Sequence, residues 1–145
     1  MRLLAKFIFL ASLLLCFSLK AQCKSFVKKK CLPSLAPFIT NGQINTAVLS
    51  PGDSTAVPLN FFENTEYRII VCNQEVLGKI SFKVFDANNK LVFHNKTLNY
   101  VTQWDFKSLS NQTLSLVVEV PEETENHSQI MQSGCVSIII GFKKK

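Results

Sequence analysis

Cysteine is the residue type whose number and spacing say most about the chemistry of this chain. Five cysteines are present, and Cys16 lies inside an apolar N-terminal run that resembles a cleaved leader. The other four form an even set, and an even number in an exported chain indicates two disulfides with three possible connectivities. These four are Cys23, Cys31, Cys72 and Cys135.

Zinc binding is the competing use of these side chains. Structural zinc sites are usually built from short pairs such as C-x-x-C or H-x-x-x-H, and the sequence contains neither pair. The two histidines, His94 and His127, are isolated. We therefore predict disulfides, and we expect no metal or other cofactor.

The stretch QCKSFVKKKCLP holds two of the cysteines eight positions apart. Good helix propensity before Pro33 predicts a short helix with Cys23, Val27 and Cys31 along one face and lysines in water. At a rise of 1.5 Å per residue the two cysteines lie about 12 Å apart, whereas a disulfide tolerates at most about 7 Å between Cα atoms. A local Cys23–Cys31 bridge, the alternative, would require the helix to be broken. If the helix forms, each cysteine must pair with one farther along the chain.

Few residues are suited to acid–base or nucleophilic catalysis. No serine lies in a G-x-S-x-G frame, and alternation of the flanking residues places His94 on a solvent face. Asp86 and Asp105 are candidates for the paired carboxylates of a carbohydrate-active enzyme. Turn capping and local hydrogen bonding explain both residues more simply. We expect a protein that is not an enzyme, with a small carbohydrate-active enzyme as the alternative.

Aromatic side chains could instead form a platform on which sugar rings stack. The chain has 12 phenylalanines, two tyrosines and one tryptophan. Strand alternation assigns several of them, including Tyr67 and Phe82, to the core, where aromatic residues of small domains usually pack. Trp104 and Tyr100 are not assigned in this way, and we predict them as candidate ligand contacts.

The N-terminus has the three parts of a secretory signal. A basic start with Arg2 and Lys6 precedes an apolar run over Phe7–Leu19, and polar residues follow. The run is too short for a membrane span of roughly 20 residues. We predict a cleaved signal over residues 1–21 and a secreted or periplasmic protein whose mature chain has no membrane span.

Charge gives little support to a nucleic-acid partner. Loss of the signal would lower the net charge from +6 to +3, because three of the 16 basic residues would leave and all 10 acidic residues would stay. Lysines then cluster at the two ends of the chain, and Arg68 is the single remaining arginine. Nucleic-acid binders usually spread lysine and arginine over one face, so we expect no nucleic-acid partner.

Short runs with a period of two follow one another from residue 43 onward, separated by turn residues. Seven or eight such runs predict an all-β fold, namely an antiparallel, jelly-roll-like β-sandwich of 7–8 strands with a short N-terminal helix. The expected organisation is a signal over residues 1–21, an N-terminal helical segment over 22–36 and a β-sandwich domain over 37–145. The runs are INTAVLS, TAVPLNFF, YRIIVC, KISFKVFD, LVFHN, YVTQWDF, TLSLVVEV and CVSIIIGF.

Two of these runs also carry positional information. Pro58 cannot donate a ladder hydrogen bond, so TAVPLNFF is predicted at a sheet edge or a bulge. CVSIIIGF is apolar on both faces, which predicts a central strand covered on its outer side. The N-terminal segment is the expected cover.

Three N-x-S/T sequences, at Asn95, Asn111 and Asn126, are acceptor sites for glycosylation. They would matter only in a eukaryotic secretory pathway.

The run LNFFENTEYRIIVCNQEVLGKISFKVFDANNKLVFHN, followed by WDF and GCVSIIIGF, resembles a group of uncharacterised exported β-sandwich proteins of Gram-negative bacteria. More distantly, YRIIV and ISFKVFDANNKLVF are similar to the jelly-roll bacterial pre-peptidase C-terminal domains. The resembling residues form strands and turns and include no catalytic residue. The resemblance implies a non-enzymatic accessory or binding module. We therefore predict a module that binds a protein or a glycan at the cell envelope.

Overall fold

A computed structural model describes residues 23–122 and 132–143 of the chain. The predicted signal, Asn126 and His127 lie outside the described residues. The described chain folds into eight strands and a few short helical turns, which confirms the predicted all-β class. The strands are β1 (Ile39–Leu49), β2 (Ser54–Phe61), β3 (Thr65–Asn73), β4 (Ser81–Phe85), β5 (Leu91–His94), β6 (Gln103–Ser108), β7 (Gln112–Glu119) and β8 (Gly134–Phe142).

The strands form two four-stranded antiparallel sheets. Sheet A has the order β1-β8-β3-β6, and sheet B has the order β2-β7-β4-β5. The first strand thus pairs with the last, the second with the seventh, the third with the sixth and the fourth with the fifth. This nested pairing is the jelly-roll topology, as the sequence predicted.

The core lies between the inner faces of the two sheets. In β7 every second side chain points inward, because successive residues of a strand face opposite sides of the sheet. The same alternation holds in β3 and β4. The largest fully buried core side chains are Phe61, Phe82, Leu59, Ile69, Leu116, Ile140, Val71, Val84, Val118 and Val136.

Pro58 predicted that its strand would lie at a sheet edge or a bulge, and β2 is indeed an edge strand of sheet B.

β1 is longer than predicted and begins at Ile39 rather than Ile44. Its pairing with β8 is irregular between Thr40 and Ile44, where Gly42 has a φ of +84°. Glycine adopts this backbone conformation without steric cost, so the irregularity interrupts the strand without ending it.

Residues 23–35, the N-terminal helical segment, are helical throughout but not regularly so. An α-helical start passes into a π-helical turn over Val27–Cys31 and a 3-10 turn over Leu32–Leu35. The α- and π-helical part ends at Cys31, before Pro33 as expected, and the 3-10 turn then continues to Leu35 within the predicted segment 22–36. Pro33 lies in the first turn of the 3-10 piece, where its missing N–H costs no intrahelical hydrogen bond.

The helical segment covers the outer face of sheet A. Val27, Cys31 and Leu35 pack in a small apolar cluster with Ile70 of β3 and Ile139 of β8. β8 lies between β1 and β3 and is buried along almost its entire length. The predictions that CVSIIIGF is central and that the N-terminal segment covers it are confirmed.

Two disulfides fix this segment to the sheet, which confirms their predicted number. Cys23 pairs with Cys135 across a Cα–Cα distance of 5.6 Å, and Cys31 pairs with Cys72 across 5.8 Å. Each helical cysteine therefore reaches the sheet, as a helical conformation of this stretch requires. The alternative local Cys23–Cys31 bridge does not form.

Candidate functional site

The two carboxylates considered as an acid–base pair lie on different parts of the sandwich. Asp105, on the outer face of sheet A, accepts hydrogen bonds from Arg68 Nε and Nη2 at 2.7 and 2.6 Å. Asp86 begins the turn between β4 and β5, and its Oδ1 accepts the backbone N–H groups of Asn88 and Lys90, both at 2.9 Å. Each carboxylate thus has a structural partner, and the fold does not bring the two together.

Arg68 ties the end of the helical segment to the sheet. Its Nη1 donates to the carbonyl oxygen of Ala36 at 2.8 Å, and its guanidinium lies 4.5 Å from the centroid of the Phe38 ring. Hydrogen bonding to Asp105 is the main cause that raises the pKa of Arg68 above its ordinary value. Burial opposes this rise, and the charge of Asp105 adds to it. The side chain is only 12% exposed, so it acts as a structural clamp.

His94 is half-buried on the outer face of sheet B, and its Nε2 lies 3.1 Å from Ser81 Oγ. A nucleophilic site would also need a carboxylate to orient the histidine. Glu119 lies opposite Ser81 on the neighbouring strand, but both of its carboxylate oxygens accept hydrogen bonds from Lys83 Nζ, at 2.9 and 2.8 Å. Within residues 23–122 and 132–143, no Ser–His–carboxylate triad forms, and no group of three or more His, Cys, Asp or Glu could hold a metal.

Trp104, a predicted ligand contact, lies on the inner side of β6 in a row of stacked rings. Phe93 stacks on it with a centroid distance of 4.9 Å, and Phe106 does so at 4.4 Å. The row continues to Phe61 and closes the side of the sandwich between β5 and β6. Since the faces of the indole are engaged by these rings, a ligand would have to contact its edge.

Tyr100, the second predicted ligand contact, is in a different setting. It follows the 3-10 turn Asn95–Leu98 with a φ of +59°, and Lys79 Nζ lies 5.8 Å from its ring centroid. In the described part of the chain no ring contact joins Tyr100 to the aromatic row. The rings of Tyr100 and Trp104 therefore do not form one platform. Contact of either ring with a ligand stays a prediction.

The glycosylation sequences differ in accessibility. Asn95 is buried, and its side chain accepts the N–H of Phe82 and donates to the carbonyl oxygens of Ile80 and Val101. Its amide nitrogen is therefore inaccessible in the folded protein. Asn111 is exposed and directly precedes β7.

The four edge strands differ in how they are protected against pairing with another chain. Exposed strand edges template further strands, and proline, charged side chains or short length usually prevent this. β2 contains Pro58, β5 has only four residues, and β6 carries Asp105 and Lys107. β1 has no proline and no charged residue. Its residues 44–49 pair in regular register with β8, so they offer about 20 Å of straight free edge at 3.3–3.4 Å per residue.

An apolar groove runs beside this edge, between β1 and the helical segment. Ile44 and Val48 project from the outer face of β1 into it, and Val48 is 53% exposed. Among the described residues, the charged ones that line it are both lysines, Lys24 and Lys28. The groove has a volume of about 850 Å³, and its lining residues are Cys23, Lys24, Val27, Lys28, Leu32, Ile44, Thr46, Ala47 and Val48.

We name this combination of free edge and apolar channel the β1 groove. Sequence reasoning predicted its two walls separately, as a strand over INTAVLS and as a helix with lysines facing water. It did not predict that they would lie side by side, because their pairing depends on the disulfides and on sheet order. The absence of charge and proline from β1 was the one sequence signal that could have indicated it.

No family model matches the chain, and no curated protein matches it. The resemblance to exported β-sandwich proteins and to pre-peptidase C-terminal domains therefore stays a prediction. Among solved structures, the chain is similar to a periplasmic inhibitor of g-type lysozyme from Aeromonas hydrophila, with 9% identity and a TM-score of 0.48. The match covers 70% of this chain and 85% of that one. A likeness at this level carries no argument about function.

Within the described residues, no helix is both long and apolar enough to cross a membrane.

Proposed function

We propose that the protein is a secreted or periplasmic module without catalytic activity, which binds a protein partner by adding a strand to β1. The observation that carries this proposal is the combination in the β1 groove. Among the edges of the two described sheets, β1 alone is long and free of proline and charge, and it borders an apolar channel.

Strand addition uses two kinds of contact. Backbone hydrogen bonds along Ile44–Leu49 supply affinity for an extended segment, and side-chain pockets select its sequence. Every second side chain of the added strand would face the same way as Ile44 and Val48 and could pack over the channel. Apolar residues at alternate positions of the partner fit this surface.

The charge of the channel indicates which kind of partner it would bind. Lys24 and Lys28 line the channel, and no acidic residue of the described ranges 23–122 and 132–143 lines it. Two copies of this chain that paired through β1 would bring their lysines towards one another, and like charges across an interface oppose association. An extended partner segment with acidic residues among its apolar ones is therefore favoured over a second copy.

Export is part of the same proposal. Two disulfides are typical of proteins that fold outside a reducing compartment. The basic and apolar N-terminus has the pattern of a cleaved signal. The partner would then be a secreted or envelope protein.

Site-specific photo-crosslinking tests the proposal. A photoreactive phenylalanine replaces Val48 in the β1 groove, and in a matched variant it replaces Val92, which is 48% exposed on β5. Both proteins are irradiated in envelope extract from the source cells. The proposal predicts a discrete adduct from position 48, reduced by excess wild-type protein, and none at position 92.

Charge reversal provides the second control. Lys28→Glu removes a favourable charge from the channel, whereas Lys29→Glu changes an exposed lysine on the same helical segment that does not line it. We expect Lys28→Glu to reduce the position-48 adduct severalfold and Lys29→Glu to leave it unchanged. No specific adduct, equal adducts at both positions, or equal effects of the two reversals would refute strand addition at β1.

A further inference from the structure

We propose a second binding site, for a neutral oligosaccharide, in a cleft at one end of the sandwich. This inference is independent of the proposed function, because the cleft shares no lining residue with the β1 groove. The cleft lies where β2 ends, β7 begins and β4 turns into β5. It has a volume of about 710 Å³, and the residues that line it are Asn60, Phe61, Phe62, Asp86, Ala87, Asn88, Asn111, Gln112 and Thr113.

The lining is rich in planar polar groups that can both donate and accept hydrogen bonds. Asp86 uses Oδ1 in its turn, and within the described chain Oδ2 has no partner. The side-chain amide of Asn88 and the Nδ2 groups of Asn60 and Asn111 also have no protein partner there. Carboxylate oxygens and amides of this kind match the paired hydroxyl groups of a sugar ring, which donate and accept in the same plane.

Phe62 adds an apolar surface beside these polar groups. Its side chain is 68% exposed, so its ring is available to a ligand in the cleft. Small-molecule sites combine an apolar or aromatic wall with a few placed polar groups. A sugar ring has the complementary form, with an apolar face of C–H groups and a polar rim.

The charge of the residues that line the cleft favours neutral ligands over acidic ones. In the part of the chain that the structure describes, the lining contains one carboxylate, Asp86, and no lysine, arginine or histidine. A phosphate, sulfate or carboxylate group would therefore meet a like charge without a compensating cation. The cleft is suited to neutral sugars, in contrast to the lysine-lined β1 groove.

The walls of the cleft are held in place before any ligand binds. The Phe62 N–H donates to the Tyr67 hydroxyl at 3.0 Å, and the Glu63 N–H donates to Asn111 Oδ1 at 2.9 Å. On the opposite side of the cleft, Asp86 Oδ1 holds the turn between β4 and β5 by accepting the backbone N–H groups of Asn88 and Lys90. A site of this kind loses little conformational freedom on binding, which favours affinity for a small ligand.

Saturation-transfer NMR on the purified protein tests the proposal with defined probes. Maltotriose, cellotriose and tri-N-acetylchitotriose serve as neutral oligosaccharides, and trigalacturonate serves as the acidic control. We expect transfer to at least one neutral probe and none to trigalacturonate. For the probe that binds, Phe62→Ala should raise the Kd about tenfold, in line with the loss of one aromatic contact. Asn88→Ala should raise it severalfold.

Leu109→Ala is the matched control, because Leu109 is 80% exposed on the neighbouring β6–β7 turn but does not line the cleft. It should leave the Kd unchanged, and circular dichroism should show all three variants folded. Absence of saturation transfer to all three neutral probes would overturn the proposal. So would equal transfer to trigalacturonate, or an effect of Leu109→Ala as large as that of Phe62→Ala.

Discussion

Removal of one disulfide at a time measures how strongly the helical segment is held on sheet A. In the first variant Cys31 and Cys72 are both replaced by alanine, and in the second Cys23 and Cys135 are. Each variant keeps the other bridge, so the segment is attached at one point in both cases. The apolar cluster of Val27, Leu35 and their sheet partners is otherwise unchanged.

The expected losses follow from the lengths of the loops that the bridges close. A disulfide lowers the entropy of the unfolded chain by an amount that grows with the logarithm of the loop length. Because the Cys31–Cys72 bridge lies inside the 112-residue loop that Cys23–Cys135 closes, the loops released are 41 residues and roughly 70 residues long. Both losses are then about 4 kcal/mol at 25 °C. Domains of this size unfold with roughly 5–15 kcal/mol in total, so either loss removes a large part of the stability.

Urea denaturation followed by tryptophan fluorescence provides the assay. Trp104 is the single tryptophan and lies in the aromatic row, so its emission reports on the closed edge of the sandwich. Both variants should unfold at lower urea, with losses of similar size. A loss below about 1 kcal/mol in both, against the usual range of 2–5 kcal/mol, would refute the view that the bridges fix the segment to the sheet.

Three further substitutions test single contacts, each by urea denaturation. Asn95→Ala leaves three buried backbone groups without their partner and should cost about 3 kcal/mol. Asn111→Ala removes one exposed hydrogen bond, to the Glu63 N–H, and should cost about 1 kcal/mol or less. Equal costs would contradict the buried role of Asn95. Gly141→Ala places a methyl group 2.6 Å from Leu35 Cδ1 and should cost about 2 kcal/mol. That cost should shrink in a Leu35→Ala background, and an unchanged cost would exclude the clash. Arg68→Lys keeps the charge but loses the paired hydrogen bonds, with an expected cost of about 2 kcal/mol. Because the folded pKa of Arg68 is raised, its contribution is complete below the unfolded pKa and is lost only as the pH rises through the folded value. The cost should therefore be constant across neutral pH, and a strong dependence there would contradict this assignment.

The sheet architecture could be predicted because each local pattern agreed with the fold. Alternation in TLSLVVEV and KISFKVFD determined which side chains face the core, and Pro58 placed β2 at an edge. CVSIIIGF could only be a covered central strand, since both of its faces are apolar. These patterns are local, and they are the same in any arrangement of strands that buries the apolar face of each one.

The binding surfaces could not be predicted, because they depend on which elements become neighbours. Trp104 stood out in the sequence as a single tryptophan, but the ring row that engages it requires β5 and β6 to lie at the same side of the sandwich. Phe62 and Asn88 are 26 positions apart and line one cleft only at the end of the folded sandwich. Lys24 and Val48 are likewise brought together by the disulfides and the sheet order.

Hydrogen–deuterium exchange of β1 in the presence of the crosslinked partner tests the central claim most directly. An added strand pairs the free backbone groups of Ile44–Leu49, and paired amides exchange more slowly than open ones. Strand addition predicts protection of this segment on binding, with no change in β6, the opposite edge of sheet A. Unchanged exchange in Ile44–Leu49, or equal protection of β6, would contradict it.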